Sequence, residues 1–105
     1  MNENEKLTKL EDDLETLASV LRLKILYLLL NSPMLSVSDL AEQLRVKHGN
    51  ISQHLQRLEN RGFLTSHKDG SYVRWIVNGS RLTNILLELQ FLFSTGGTDA
   101  TTSVS

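Results

Sequence analysis

The chain has 105 residues, a length that suits a single domain, and a formal net charge of −1, with 11 lysines and arginines against 12 acids. It contains no cysteine, which excludes disulfides, thiolate metal sites and thiol redox switches. The longest apolar run, residues 25–30, is too short to cross a bilayer, and the acidic N-terminus is unlike a signal peptide, so we expect a soluble cytoplasmic protein without membrane contact.

Charge is distributed unevenly along the chain. Residues 1–44 carry a net −4, residues 45–81 a net +5, and residues 82–105 a net −2. Contacts with phosphates need a local basic surface rather than a basic total. The middle segment therefore favours a nucleic-acid partner, although a window of this size is sometimes this basic by chance.

The first predicted helix has a narrow apolar seam. Its leucines recur at spacings of three, four and three, at Leu7, Leu10, Leu14 and Leu17, and residues 1–5 before it are expected to be frayed. Such a seam suits packing against one other helix. That helix could belong to the same domain or to a second subunit, and this segment alone favours neither.

Two more helices follow. Residues 16–31 are strongly apolar and predict a central, largely buried helix, with a break and an N-cap at Ser19. Ser36 and Asp39 then make a capping-box-like start, with Asp in place of the usual Glu or Gln, for a short helix from Val37 to Leu44.

Residues 47–61 predict a short helix with two contrasting faces. The inner face is apolar, since Ile51, Leu55 and Leu58 recur at helical spacing. The outer face carries amides, a glycine and a cation, at Gly49, Asn50, Gln53, Gln56, Arg57 and Asn60. Amides and guanidinium groups can bond to base edges in a DNA major groove, although an ordinary surface helix is the alternative for this segment alone. With the preceding helix it makes a helix-turn-helix.

A hairpin comes next. Gly62 is a good C-terminal cap, and residues 63–68 and 71–77 predict two short strands around Asp69-Gly70, a typical type I′ turn sequence. Lys68 and Arg74 lie close to this hairpin. Cations there can reach phosphates or a minor groove.

The last predicted helix runs from Arg81 to about Phe93. Its main face holds Leu82, Ile85, Leu86, Leu89 and Phe93, but further apolar residues make it hydrophobic nearly all round. A 105-residue monomer cannot cover such a helix completely, so we expect a dimer. Residues 94–105 are small and polar and are expected to form a disordered tail after a domain of residues 1–93.

These segments, taken together, resemble the ArsR-type (arsenic-repressor) family of small dimeric regulators. The likeness lies in Leu17, Ala18, Arg22, Leu23, Ile25 and Leu26, in the segments LSVSDLAEQL and NISQHLQRLENRGFL, and in the hairpin HKDGSYVRWIV. It covers about residues 7–93. The resemblance implies a mainly α (α+β) winged helix-turn-helix fold, in which four helices precede a two-stranded wing and a fifth helix.

The resemblance also implies a function. It suggests a homodimeric transcriptional regulator, a repressor, that binds double-stranded DNA at an inverted-repeat operator. The recognition helix, about residues 47–61, would enter the major groove, and the wing, residues 64–77, would lie on the backbone or in the minor groove. The candidate DNA-binding residues are Lys47, His48, Gly49, Asn50, Ser52, Gln53, His54, Gln56, Arg57, Lys68 and Arg74. The candidate dimer-interface residues, on the first and last helices, are Leu7, Leu10, Leu14, Leu82, Ile85, Leu86, Leu89 and Phe93.

The sequence departs from the family at its metal sites. Many metal-sensing members carry two cysteines that flank a valine before the helix-turn-helix, whereas this chain has Ser36-Val37-Ser38, and hydroxyls are poor ligands for soft ions. Other members bind zinc through histidines of the last helix, but residues 80–93 contain none. His48 and His54 are too far apart on their helix to share a metal. We therefore expect no metal, no cofactor and no enzymatic activity.

Two further hypotheses stay open. The chain could be a winged-helix protein-interaction module whose apolar last helix binds another protein. It could also be a regulator that takes a small-molecule effector at its dimer interface, although no residue marks such a site.

Overall fold

The structure, a computed structural model, describes residues 2–96, with side chains described up to residue 91. The helices are α1 (Glu3–Leu17), α2 (Val20–Asn31), α3 (Val37–Leu44), α4 (His48–Asn60) and α5 (Gly79–Gly96). The strands are β1 (Leu35–Ser36), β2 (Leu64–Asp69) and β3 (Tyr72–Val77). The predicted winged helix-turn-helix is confirmed, with β1 as an additional strand. Among residues 2–96, no helix combines the length and hydropathy that a membrane span requires.

Side-chain caps begin the first three helices. Ser36 accepts a hydrogen bond from the Asp39 amide at 3.2 Å, and Asp39 accepts one from the Ser36 amide at 2.9 Å, so the capping box is confirmed with Asp in the acidic position. Ser19 caps α2 as predicted, through the amide of Arg22. Asn2 caps α1 in the same way through the Glu5 amide, so the helix begins at Glu3, within the segment that the sequence places before it.

The sheet has three antiparallel strands in the order β1-β3-β2. β1 pairs Leu35 with Trp75, and two residues are too few to give a period-two signal in the sequence. The hairpin turn also differs from the prediction. Asp69 pairs with Tyr72, so the two loop residues are Gly70 and Ser71, and of these only Gly70 has a positive φ, +65°. That pattern is typical of a type II′ turn with glycine first, not of type I′.

The core forms where the helix-turn-helix packs on the sheet and on α2. Its fully buried members are Ile25, Leu29, Leu40, Ile51, Leu55, Leu58, Phe63 and Leu64. Leu10 of α1 and Ile85 of α5 also lie in this core, with 5% and 3% of their surface exposed. Both residues were expected in a dimer interface. Their own chain already covers most of their surface, so the structure does not support that expectation for either residue.

α2 is less buried than predicted. Ile25, Leu26 and Leu29 face the core. The opposite side of the helix is apolar but exposed, and it carries Val20, Leu23, Tyr27 and Leu30. The sequence could not show this division because apolar residues occur on every side of the helix.

α5 is longer than predicted at both ends. It begins at Gly79, where Asn78 accepts a hydrogen bond from the Arg81 amide at 3.3 Å, and it continues to Gly96. Residues 94–96 are thus helical, which corrects the expected start of the polar tail. The rest of the predicted tail, residues 97–105, and the side chain of Phe93 lie outside the described part of the chain.

Candidate nucleic-acid interface

α4 presents a polar face on a rigidly packed helix. Ile51, Leu55 and Leu58 are completely buried, which fixes the rotation of the helix about its axis. The opposite face is exposed and holds most of the predicted DNA-binding residues, namely His48, Gly49, Asn50, Ser52, Gln53, Gln56 and Arg57. The helix-turn-helix therefore brings these side chains together as the sequence predicts.

The amides on this face are not equivalent. Gln56 donates a hydrogen bond to Asn60 at 3.0 Å, one turn along the helix. Within residues 2–96, the amide of Gln53 has no hydrogen-bond partner and is exposed. Gln53, like the exposed Asn50, thus has both its donor and its acceptor available to an adenine edge or a similar partner.

The N-terminus of α4 is open. Lys47 occupies the N-cap position in an extended conformation, and its side chain makes no capping hydrogen bond. A Cβ added to Gly49 would meet nothing within 4 Å, so packing within the protein does not require glycine there. The first turn combines exposed backbone amides with the cation of Lys47, a combination that suits contact with phosphate.

His54 lies at the inner edge of the helix. Its Nδ1 is 3.0 Å from Nη1 of Arg22 on α2, and because a guanidinium can only donate, Nδ1 accepts and the ring proton resides on Nε2. Burial lowers the pKa of His54, and the charges of Arg22 and Arg57 lower it further. The structure gives His54 a contact between helices, and its contact with DNA stays a prediction.

The wing has one exposed cation and one internally bonded cation. Lys68 is exposed close to the hairpin turn. Arg74 instead donates to Asp69 at 3.1 Å and to the carbonyl of Met34 at 3.2 Å, and it lies 3.7 Å from Asp39. These contacts tie β3 to the start of α3. Arg74 is thus held by partners within the protein, whereas Lys68 is exposed, and the contact of both residues with DNA stays a prediction.

A buried ionic cluster lies behind α4, and the sequence did not indicate it. Asp13 of α1 has no exposed surface and accepts hydrogen bonds from Arg61 and Arg81. Burial alone would raise the pKa of Asp13, but the hydrogen bonds and charges of Arg81 and Arg61 outweigh it and hold that pKa below its usual value. The one available signal was position, because Asp13 follows Leu10 by three residues and so lies near the apolar seam.

Several helices also expose large apolar side chains. Of the predicted dimer-interface residues, Leu7, Leu14 and Leu86 are exposed, while Leu82 and Leu89 are partly buried against the core. The sequence did not identify a second apolar stripe on α2, formed by Val20, Leu23, Tyr27 and Leu30. Their spacing of three, four and three residues places all four on one side of that helix.

A metal ion requires a set of ligands that lie close together. In residues 2–96, no three histidines or carboxylates come close enough together to hold a metal ion. Ser36, which stands where the family resemblance implies a cysteine in metal-sensing members, is buried and engaged as an N-cap.

Comparison with known proteins places this geometry in a family. Residues 19–66 match the family described as "Bacterial regulatory protein, arsR family". A segment of 65 residues is 32% identical to the cadmium resistance transcriptional regulatory protein CadC of Listeria innocua serovar 6a, covering 62% of this chain and 55% of CadC. The chain therefore spans just over half the length of the curated relatives that it matches.

Solved structures agree along most of the chain. An ArsR-like transcriptional regulator from Rhodococcus sp. RHA1 superimposes with a TM-score of 0.78 at 26% identity, covering 87% of this chain and 85% of that one. A possible transcriptional regulator for arsenical resistance is 30% identical with a TM-score of 0.68, covering 77% and 84%. The helix-turn-helix, the wing and these matches together show that the chain belongs to the arsR family of bacterial regulatory proteins.

Proposed function

We propose that this protein is a sequence-specific, double-stranded DNA-binding transcriptional regulator that acts as a repressor. The observation that carries the proposal is the outer face of α4, where Gln53 has a free amide on a helix whose other face is completely buried. A helix held in this way can place a side chain against a base edge with little loss of conformational freedom. The open N-terminus of α4 and Lys68 on the wing add contacts to phosphates.

The proposed active form is a homodimer on an inverted repeat. Support comes from the exposed apolar side chains of α1 and α5, Leu7, Leu14 and Leu86, and from the stripe on α2, where Tyr27 is 67% exposed. Large apolar groups on three helices are more than a small monomer usually leaves open to water. A twofold axis would present two α4 helices to successive major grooves, about 34 Å apart.

Metal sensing forms no part of the proposal. The relative from Listeria innocua is named for cadmium resistance, but this chain has no thiolate to bind a soft ion, and Ser36 already serves as a cap. We propose regulation that is independent of such metals and leave open a small-molecule effector.

Selection of DNA sites from a random duplex pool tests the proposal. Purified protein is expected to enrich an inverted repeat and to bind it more tightly than a scrambled duplex of equal length. A variant with Ser52 and Gln53 replaced by alanine is the matched control, because both side chains are exposed and their loss leaves the core intact. Enrichment of no sequence by the wild-type protein at low salt would contradict the proposal.

The second candidate function is a protein-interaction module that uses α5. The exposed Leu86, Leu87 and Phe91 favour it, because this surface could equally meet a different protein. Sedimentation equilibrium separates the two possibilities. A stable homodimer supports the regulator, whereas a monomer at micromolar concentration that binds no DNA favours the interaction module.

A further inference from the structure

The cluster around Asp13 joins three parts of the fold that are distant in sequence. Oδ1 of Asp13 accepts hydrogen bonds from Nε and Nη2 of Arg61 at 3.0 and 2.7 Å, and Oδ2 accepts one from Nη2 of Arg81 at 2.5 Å. Asp13 lies on α1, Arg61 directly follows α4, and Arg81 lies in the first turn of α5. One carboxylate thus connects the two proposed dimerisation helices to the end of the recognition helix.

Additional contacts fix the two guanidinium groups. Nε of Arg81 donates to the carbonyl oxygen of Arg61 at 3.2 Å, and the Arg81 guanidinium lies 5.0 Å from the centre of the Phe63 ring. The second amino group of Arg61 also reaches the carbonyl of Lys9 at 3.4 Å. Each arginine therefore has more than one contact, so the cluster fixes the orientation of both guanidinium groups as well as attracting them to Asp13.

A buried ion pair is weak evidence for stability. The cost of removing charges from water roughly cancels their attraction, and apolar replacements of such clusters are often as stable or more stable. Directional hydrogen bonds to a buried carboxylate instead define the relative position of the groups that they join. At this site those groups are the backbones of α1, α4 and α5.

We propose that Asp13, Arg61 and Arg81 are positioning residues that set the distance between the two recognition helices of the dimer, and thereby the half-site spacing that the protein accepts. This inference rests on the proposed function, since it requires a dimer that binds DNA. α1 and α5 carry the proposed interface, so the placement of α4 relative to them determines where each α4 lies with respect to the twofold axis. Asp13 fixes that placement directly.

The test measures spacing preference and not affinity alone. Inverted-repeat duplexes are made with the half-site separation varied in single base pairs, each step moving a half-site by about 3.4 Å and rotating it by roughly 34°. The wild-type protein is expected to prefer one separation over its neighbours by at least about tenfold, comparable to a mismatched base pair. Asp13→Asn is expected to remain dimeric and to reduce this preference to below about threefold. Arg61 and Arg81 donate to different oxygens of Asp13, and the amide replaces one of these oxygens with an NH2 group that cannot accept.

Matched variants separate positioning from stability. Asp12→Asn makes the same chemical change at an exposed position one residue earlier and is expected to keep the wild-type preference. Arg81→Lys retains the charge but cannot bond to Asp13 and to the Arg61 carbonyl as the guanidinium does, and it is expected to lose at least part of the preference even if Asp13→Asn fails to fold. Circular dichroism and sedimentation confirm that each measured variant is folded and dimeric.

The outcomes distinguish this inference from the proposed function. Wild-type spacing preference in a folded, dimeric Asp13→Asn or Arg81→Lys protein would overturn the positioning role and leave the DNA-binding function intact. Absence of binding by the wild-type protein to every duplex would overturn both. Loss of preference in the two variants, with binding to a single half-site unchanged, supports the inference.

Discussion

The salt dependence of operator binding tests how the structure distributes its positive charge. Residues 45–81, all of them described, contain seven cations. Three of these have carboxylate partners within the protein, since Arg61 and Arg81 bond to Asp13 and Arg74 bonds to Asp69. The remaining four are exposed, namely Arg45, Lys47, Arg57 and Lys68. Arg57 counts among them because its nearest carboxylate is 4.0 Å away and both groups are exposed.

The expected slope follows from this count. A homodimer offers eight such cations, and each phosphate neutralised contributes about −0.9 to the slope of log Kobs against the logarithm of the salt concentration. The slope is therefore expected to be no steeper than about −7. Between about 50 and 200 mM salt the affinity is then expected to fall by up to about 10⁴-fold. If the internally paired arginines also contacted phosphates, fourteen cations would give a slope near −13.

Fluorescence anisotropy with a labelled operator measures the slope over a salt series. Lys68→Gln is expected to make the slope shallower by about 2 per dimer, whereas Arg74→Gln should leave the slope unchanged, whatever it does to affinity. A wild-type slope close to −13, or equal changes in the two variants, would refute the division into paired and free cations.

Three other predictions concern α4 and its supports. Asp13→Ala is expected to cost about 3 kcal/mol at pH 7 in urea unfolding, against less than about 0.5 for exposed Asp12→Ala; this is the low end for a broken buried pair, because the freed Arg61 is already partly exposed. Since the native pKa of Asp13 is lowered, this stabilisation is present above the unfolded pKa of about 3.9 and is lost as the pH falls through the native pKa. A constant difference in unfolding free energy between wild type and Asp13→Ala down to about pH 2 would contradict the role of the Asp13 carboxylate. Gln53→Ala is expected to weaken specific binding by about 1–3 kcal/mol and to leave random DNA almost unaffected; equal losses on both would reject a base contact. Because burial and two nearby arginines lower the pKa of His54, its protonation costs the native state free energy, so stability falls as the pH drops below the unfolded value of about 6.5. His54→Asn, which cannot titrate, should flatten that part of the pH profile, and an unchanged profile would show that another group titrates.

Local features of the fold could be read from the sequence. The capping box of Ser36 and Asp39, the N-cap at Ser19 and the glycine after α4 depend only on residues a few positions apart, and all three are present. Gly62 has a φ of +83°, which glycine adopts without strain. The apolar period of α4 likewise identified the three residues that are completely buried. These features can be predicted because the residues that cause them and the sequence pattern that indicates them lie in the same short segment.

Features that depend on distant residues could not be read. Asp13 belongs to a run of acids that resembles a solvated helix face, and its partners lie 48 and 68 residues away. Arg74 resembles a cation of the wing until the position of Met34 and Asp39 is known. The turn type changed for a related reason, since the register of β2 against β3 decides which two residues form the loop.

The two ends of α4 have opposite properties, and this contrast explains how the helix could both search for and measure a site. Its first turn is open and faces solvent, while its last turn leads into Arg61 and the buried carboxylate of Asp13. Thirteen residues span about 20 Å, so a tilt of roughly 10° at the fixed end would move the first turn by about 3.5 Å, close to the rise of one base pair. A rigid attachment at the C-terminus of α4 therefore affects the accepted half-site spacing more than an additional contact at its N-terminus does.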